Sequence, residues 1–208
     1  MVVPDLSVHI VQRGHDGNDC FFDDGDYLAY LNLLREFAPR CGCSVHAYCL
    51  MTNHVHLFLT PHAPRSCALL MKNVGQRYVQ RVNALRERRG TLWEGRFYSC
   101  LVPTEAYALA CYRYVECNPL KPGLVSHPDE YPWSSYRLNA RAPGGFLSPH
   151  PAYSALAEDD GRRAAVYREL CNVPLPTEML ENLRKATRCG SAAGTQPRRR
   201  GRPKKLKK

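Results

Sequence analysis

Met51-Thr52-Asn53-His54-Val55-His56-Leu57-Phe58-Leu59-Thr60-Pro61 is the stretch from which the rest of the chain is read. His54 to Leu59 is a short run rich in β-branched and aromatic residues, bounded by Thr52-Asn53 before it and Thr60-Pro61 after it, so it reads as a strand. Strand side chains alternate between faces, which puts both imidazoles on the same side. Ser44 to Met51 reads as a second strand, and the tight Thr52-Asn53 turn joins the two into an antiparallel hairpin.

Working outward, Leu6 to Gln12 alternates apolar and polar residues as a first strand, and Gly14 to Asn18 supplies the turn after it. Asp23, Asp24 and Asp26 favour a helix start; Tyr27, Tyr30, Leu31, Leu34 and Phe37 form its apolar stripe, and Pro39 and Gly42 close it. A second helix runs from Ser66 to about Arg88, with Leu70, Val74, Tyr78, Val82 and Leu85 on one side. Tyr98 to Val102 reads as a fourth strand. Thr104 to Pro119 is an alanine-rich helix with a threonine cap and a terminating proline. The order β-α-β-β-α-β-α predicts an α+β domain, an antiparallel sheet with helices on one face.

Tyr114 and Asn118 lie four apart, on one face of that last helix. Neutral imidazole nitrogens and an amide oxygen are competent metal donors, and three protein ligands leave coordination positions open for a phosphate oxygen. The Tyr114 phenol is then the candidate nucleophile. Each residue also has an ordinary reading: His-x-His as hydrogen-bonded, half-buried histidines, tyrosine as packing, Asn before Pro as a helix stop. Residue types and spacing alone leave both readings open.

The surrounding text narrows them. Met51-Thr52-Asn53-His54-Val55-His56-Leu57, Leu92-Trp93-Glu94-Gly95-Arg96-Phe97, Tyr114-Val115-Glu116-Cys117-Asn118-Pro119 and Tyr131-Pro132-Trp133-Ser134-Ser135-Tyr136 stand in the order seen in REP-associated tyrosine transposases. From about Val8 to Tyr136 the chain resembles that family of HUH endonucleases, which is related to the single-tyrosine transposases of small insertion sequences. The resemblance implies a ferredoxin-like arrangement with the histidine strand near its centre. It also implies His54, His56 and Asn118 as metal ligands, Tyr114 as nucleophile ahead of Tyr112, and magnesium or manganese as the ion, where two imidazoles alone would suggest zinc. The implied substrate is single-stranded DNA carrying a REP-like hairpin, nicked through a 5′-phosphotyrosine and acted on by a monomer or homodimer. Thr52, where the family often has proline, and Cys117, where larger apolar residues are common, depart from its pattern without touching the proposed donors.

Three regions follow: a catalytic domain over residues 1–138, a linker and small helical appendage over 139–190, and a disordered basic tail over 191–208. The appendage is read from a Gly/Pro/Ala-rich stretch, Ala140 to Pro151, and from short helical runs at Ala152 to Leu156, Arg162 to Cys171 and Thr177 to Arg188. The formal charge is +10, but Arg198 to Lys208 holds eight of the 29 Lys+Arg and no acid, which leaves 21 basic against 19 acidic residues elsewhere. DNA binding by the body must therefore use local patches. Candidates are Lys72, Gln76, Arg77 and Arg81 on the second helix, whose polar side reads equally as a solvated face, together with Trp93 and Arg96. Trp93, Phe97, Tyr98, Tyr131, Trp133 and Tyr136 are aromatics that either stack on bases or fill the core. In the tail, Arg200-Gly201-Arg202-Pro203 has the core pattern of an AT-hook, whose arginines enter the narrow minor groove of A·T-rich duplex; the plainer reading is a nonspecific polybasic tail.

Ten scattered cysteines with no C-x-x-C pair read as reduced, mostly buried thiols; a zinc site on Cys41-Gly42-Cys43 has poor spacing. With no leader and no membrane-length apolar run, the expectation is a soluble, cytoplasmic, nucleoid-associated protein. Three functions compete: a nicking and strand-transfer enzyme, a non-catalytic DNA-binding regulator on the same fold, and a module in which the histidines are structural. Tyr114 and Asn118 together favour the enzyme.

Overall fold

The computed structural model describes residues 2–141 and 145–194. Part of the expected linker, and from residue 195 onward the basic tail with Arg200 and Arg202, lie outside the described residues. β1 (Val8–Arg13), α1 (Asp24–Arg40), β2 (Cys43–Met51), β3 (His54–Pro61), α2 (Ser66–Leu85), β4 (Tyr98–Leu101) and α3 (Glu105–Glu116) follow in the expected order. After them come α4 (Tyr136–Arg141), α5 (Pro151–Ser154), α6 (Asp160–Asn172) and α7 (Thr177–Cys189). The strands form one antiparallel sheet in the order β2-β3-β1-β4, so the histidine strand β3 is interior, as a ferredoxin-like arrangement requires.

Local chemistry sets these boundaries. Asp23 caps α1 by accepting from Asp26 N at 3.0 Å, and Thr104 caps α3 by accepting from Tyr107 N at 3.3 Å. Pro39 sits within the last turn of α1 rather than ending it, and Gly42, at φ 64°, makes the turn into β2. After β1, a Cβ on Gly14 would stand 2.1 Å from the Asn18 carbonyl oxygen, so only glycine fits that turn.

The pleat of β3 divides the interior in two. Val55, Leu57 and Leu59 point toward α1 and α2, where they pack with Tyr30, Leu34, Leu70, Val74 and Tyr78, all fully buried. Phe58 faces the opposite way, with Ala47, Cys49, Tyr112 and Val115. Each such burial contributes about 1.5–3 kcal/mol for a large apolar side chain. The expectation of helices on one face therefore holds for α1 and α2 only. Ala47, Cys49, Met51, Phe58 and Cys100 make the second face apolar too, and α3 and the C-terminal helices cover it.

Two further differences follow from packing. Leu85, placed on the α2 stripe by its spacing, is 62% exposed in the last position of the helix, where the contact with the start of α1 is made by the Arg86 ion pairs to Asp23 and Asp26 instead. Residues 191–194, expected to be disordered, lie along β4 instead: Leu101 N donates to Ser191 O and Ala193 N to Leu101 O, using backbone groups at the open edge of a short strand. Of the ten cysteines, Cys189 alone is exposed, and none is in a disulfide.

One buried acid joins the later helices to α3. Glu116, fully buried, accepts hydrogen bonds from Ser135 Oγ, from Asn139 Nδ2 at 2.7 Å and from Tyr167 Oη at 2.5 Å. Burial pushes its carboxyl up to about 7, against the pull of those three donors. Because the folded value lies above the unfolded one, Glu116 contributes stability below about pH 4.5 that is lost as pH rises through about 7. Urea melts from pH 4.5 to 8 should show wild type losing stability relative to Glu116→Gln by about 2–3 kcal/mol as pH rises. A difference that does not change with pH would mean that the carboxyl titrates normally.

Candidate active site

On the α3 side of the sheet, a cavity of about 590 Å³ is lined by His54 and His56 from β3, His9, Val11 and Arg13 from β1, and Tyr114 and Asn118. Lys121, Glu94, Tyr98 and the α7 residues Arg184, Thr187 and Arg188 complete it. The four residues that the sequence singled out thus meet at one place. The His54 and His56 ring centroids are 4.8 Å apart, Tyr114 lies edge-on to His56 at 5.6 Å, and the Asn118 side-chain amide is 3.1 Å from His56 Nε2. Asn118 does not share the helix of Tyr114, as the spacing implied. α3 ends at Glu116, because Pro119 disfavours helical backbone at the residue before it, and Asn118 opens a short 3-10 turn.

Hydrogen bonds fix which imidazole nitrogens face the cavity. His54 Nδ1 is 2.6 Å from Asn53 Oδ1, which only accepts, so Nδ1 carries the proton and Nε2 keeps its lone pair. Behind His56 runs a relay. Thr187 Oγ1 donates to Leu183 O at 2.8 Å, His9 Nδ1 donates to Thr187 Oγ1 at 3.0 Å, and His56 Nδ1 donates to His9 Nε2 at 2.9 Å. His56 Nε2 is thereby left as an acceptor, facing Asn118. Half a turn of that amide would present Oδ1 in place of Nδ2. Burial holds His9 down to about 3 and His54 down to about 4, and holds His56 well below its ordinary value, so all three rings are neutral near pH 7. Two neutral imidazoles with free Nε2 atoms and one amide oxygen make a donor set that fits a divalent cation.

The phenol stands among cations. Lys121 Nζ is 3.7 Å from the Tyr114 ring centroid, and Arg184 lines the same cavity as the phenol. Burial raises the Tyr114 pKa, while Arg184 and Arg13 oppose the rise by favouring phenolate. Burial, with Arg184 nearby, lowers Lys121 to about 8. Tyr112 points elsewhere: it is fully buried, accepts from His150 N at 3.0 Å and does not line the cavity.

The expected DNA contacts divide. Lys72, Gln76, Trp93 and Arg96 line a second groove, on the α2 side of the sheet. Arg77 and Arg81 instead turn toward α1, Arg77 over the Phe37 ring at 4.8 Å and Arg81 beside Gly25. Trp93 is 7% exposed, and Trp133 stacks on Tyr27 at 4.5 Å. Tyr131 is buried and donates to Leu50 O at 2.7 Å, and Tyr136 is also buried, so these aromatics pack the interior. Sequence reasoning missed His9, Arg13, Lys121, Arg184 and Thr187. His9 and Arg13 carried the only available signal, a shared strand face with Val11; Arg184 and Arg188, four apart, lay in a helix read as an appendage.

Residues 2–118 match the family described as IS200-like transposases. The chain belongs to that family. Its fold is similar to that of a REP-associated tyrosine transposase bound to a REP hairpin, with a TM-score of 0.59 at 14% identity over 73% of this chain and 93% of that one. A crystallised protein from Deinococcus radiodurans R1 is also similar, with a TM-score of 0.41 at 22% identity over 52% of this chain and 87% of that one. No curated protein matches the chain. Among the described residues, no helix is long and apolar enough to cross a membrane.

His9→Phe removes the middle of the relay while keeping a ring of similar size. It should lower stability by about 1–3 kcal/mol in urea melts, because Thr187 and His56 each lose a buried partner. An unchanged midpoint would show that the relay carries no energy.

Proposed function

We propose that the protein is a metal-dependent endonuclease and strand transferase for single-stranded DNA, nicking at or beside REP-type hairpins through a 5′-phosphotyrosine. The observation that carries this reading is the convergence of a phenol, two imidazoles with outward Nε2 lone pairs, and an amide in one cavity. Membership of a transposase family and the likeness to a hairpin-bound relative support it.

His54, His56 and Asn118 would hold magnesium or manganese, which when bound neutralises charge on the scissile phosphate. The chain's own groups do the rest. Arg13, Arg184, Arg188 and Lys121 draw a phosphodiester into the cavity, since no carboxylate other than Glu94 lines it. Arg184 and Lys121 stabilise the Tyr114 oxygen as its negative charge develops. As the tyrosyl oxygen bonds to phosphorus, the bond from phosphorus to the 3′-oxygen breaks. The phenol loses one proton and the departing 3′-oxygen gains one. The phosphoester energy is kept in the new bond, so a 3′-hydroxyl from another strand can reverse the step, and cleavage becomes transfer. The basic tail would add affinity for duplex DNA through its arginines and lysines, as an AT-hook on A·T-rich sequence.

Incubated with a labelled hairpin-bearing single strand and magnesium or manganese, the full chain should form a covalent adduct stable to denaturation. Tyr114→Phe should abolish the adduct while binding persists. Undiminished adduct in that variant would overturn Tyr114 as the nucleophile, and binding without adduct in wild type would leave a DNA-binding regulator.

Truncation after Gly194 removes all eight cationic residues of the Arg198–Lys208 run. It should flatten the dependence of log affinity on log salt by roughly 0.7–0.9 for each phosphate that the tail no longer neutralises. Loss of cleavage at saturating protein would show that the tail belongs to the catalytic machinery.

A further inference from the structure

The second groove has features that packing alone does not explain. It is about 630 Å³, within the range of small-ligand pockets, and is walled by Met71, Val79, Trp93 and Phe97. Two polar atoms are buried there without a hydrogen-bond partner, Gln12 Oε1 and Trp93 Nε1. Gln12 is 6% exposed. An orphaned acceptor and an orphaned donor each carry a desolvation cost, and finding both in one groove points to a ligand that presents a donor beside an acceptor.

The floor is equally specific. Gly75 lies in the interior of α2, where glycine costs about 0.5–1 kcal/mol relative to alanine. A Cβ there would meet Trp93 Nε1 at 3.5 Å, an ordinary contact, so the core does not require glycine. A bare backbone at this point lets the groove reach the main chain of α2 beside the indole N–H. Lys72 and Arg96, both exposed and in no ion pair among the described residues, flank the groove with positive charge.

The groove also connects with the Tyr114 cavity. A third depression, about 580 Å³, shares Arg13, Glu94 and Tyr98 with that cavity and shares Ala68, Arg96 and Phe97 with the groove. Its track passes around the β4 edge of the sheet, over residues 94–99. Glu94 N donates to Arg13 O at 2.9 Å and His15 N to Leu92 O at 2.9 Å, which holds the start of this segment, and Trp93 with it, beside the end of β1.

Resting on the reading of the Tyr114 cavity given above, we propose that this groove captures one unpaired nucleobase of the same single strand. The edge of every base places a hydrogen-bond donor next to an acceptor, matching Gln12 Oε1 and Trp93 Nε1, and its faces suit the Phe97 and Met71 walls. Lys72 and Arg96 meet the adjoining phosphates. The groove thereby sets the register of the strand, fixing which phosphate reaches Tyr114.

The test scans the strand with abasic sites, one nucleotide at a time on either side of the nick, and measures affinity with the full chain. One position should stand out, its abasic form binding about five- to a hundredfold more weakly, the range for losing one stacked base. Gly75→Leu fills the groove. That variant should bind the intact strand as weakly as wild type binds the abasic one, and should show no further loss at the singled-out position. Trp93→Phe, which deletes only the donor and keeps a ring in the core, should shrink the penalty, so the proposal stays testable if Gly75→Leu does not fold. A penalty spread evenly along the strand, or one undiminished in both variants, would overturn the groove's role while the wild-type adduct stands. Absence of any single-strand binding or adduct in wild type would instead overturn the function itself, and the groove's role with it.

Discussion

The alternation of β3 is the constraint on which everything else depends. Val55, Leu57 and Leu59 must face α1 and α2 to close one core, and that alone sends His54, His56 and Phe58 to the other side. A slip of one residue in the pairing with β1 or β2 would exchange the two sets, burying imidazoles in a hydrocarbon core and turning leucines into the cavity. Register is therefore fixed by apolar burial, worth several kcal/mol over three side chains, and the chemistry inherits it. The two-residue Thr52-Asn53 turn locks the same register, and Asn53 then commits its side chain to His54.

The histidine side of the sheet is built in layers. His56 alone would be free to present either nitrogen. His9 behind it and Thr187 behind His9 remove that freedom, and the last link ends on a backbone carbonyl of α7. One C-terminal helix thus does two jobs: Thr187 anchors the relay, and Arg184 brings a positive charge into the cavity that holds the phenol. Of the helices after residue 150, α7 lines the site directly. Glu116 fixes α4 and α6 to α3 close to Tyr114, so the helix that carries the phenol is tied at its C-terminal end.

Much of this was legible in the sequence, and the reasons are physical. Period-two alternation, aspartate and threonine caps and a two-residue turn are local signals, and each element they predicted is present. His54, His56, Tyr114 and Asn118 were legible because they lie in contiguous, spaced motifs. His9, Lys121, Arg184 and Thr187 were not, because their partners are distant in sequence: His9 and Thr187 are 178 residues apart. The covered second face was missed for a related reason. Ala47, Cys49 and Cys100 are small residues that carry little apolar signal singly, yet together they form a surface that has to be buried. The division of the polar side of α2, with Lys72 and Gln76 in a groove and Arg77 and Arg81 against α1, also depends on how the helix is rotated in the fold.

The central claim, that two imidazoles, an amide and a phenol serve one phosphate, is tested most directly by anomalous diffraction. Crystals of Tyr114→Phe grown with manganese and a hairpin-bearing single strand would locate both the ion and the DNA. One manganese peak is expected, bonded to His54 Nε2, His56 Nε2 and the Asn118 side-chain oxygen, with a phosphate oxygen of the strand completing its shell beside residue 114. Manganese bound elsewhere, or a strand whose phosphates pass by without entering this cavity, would contradict it.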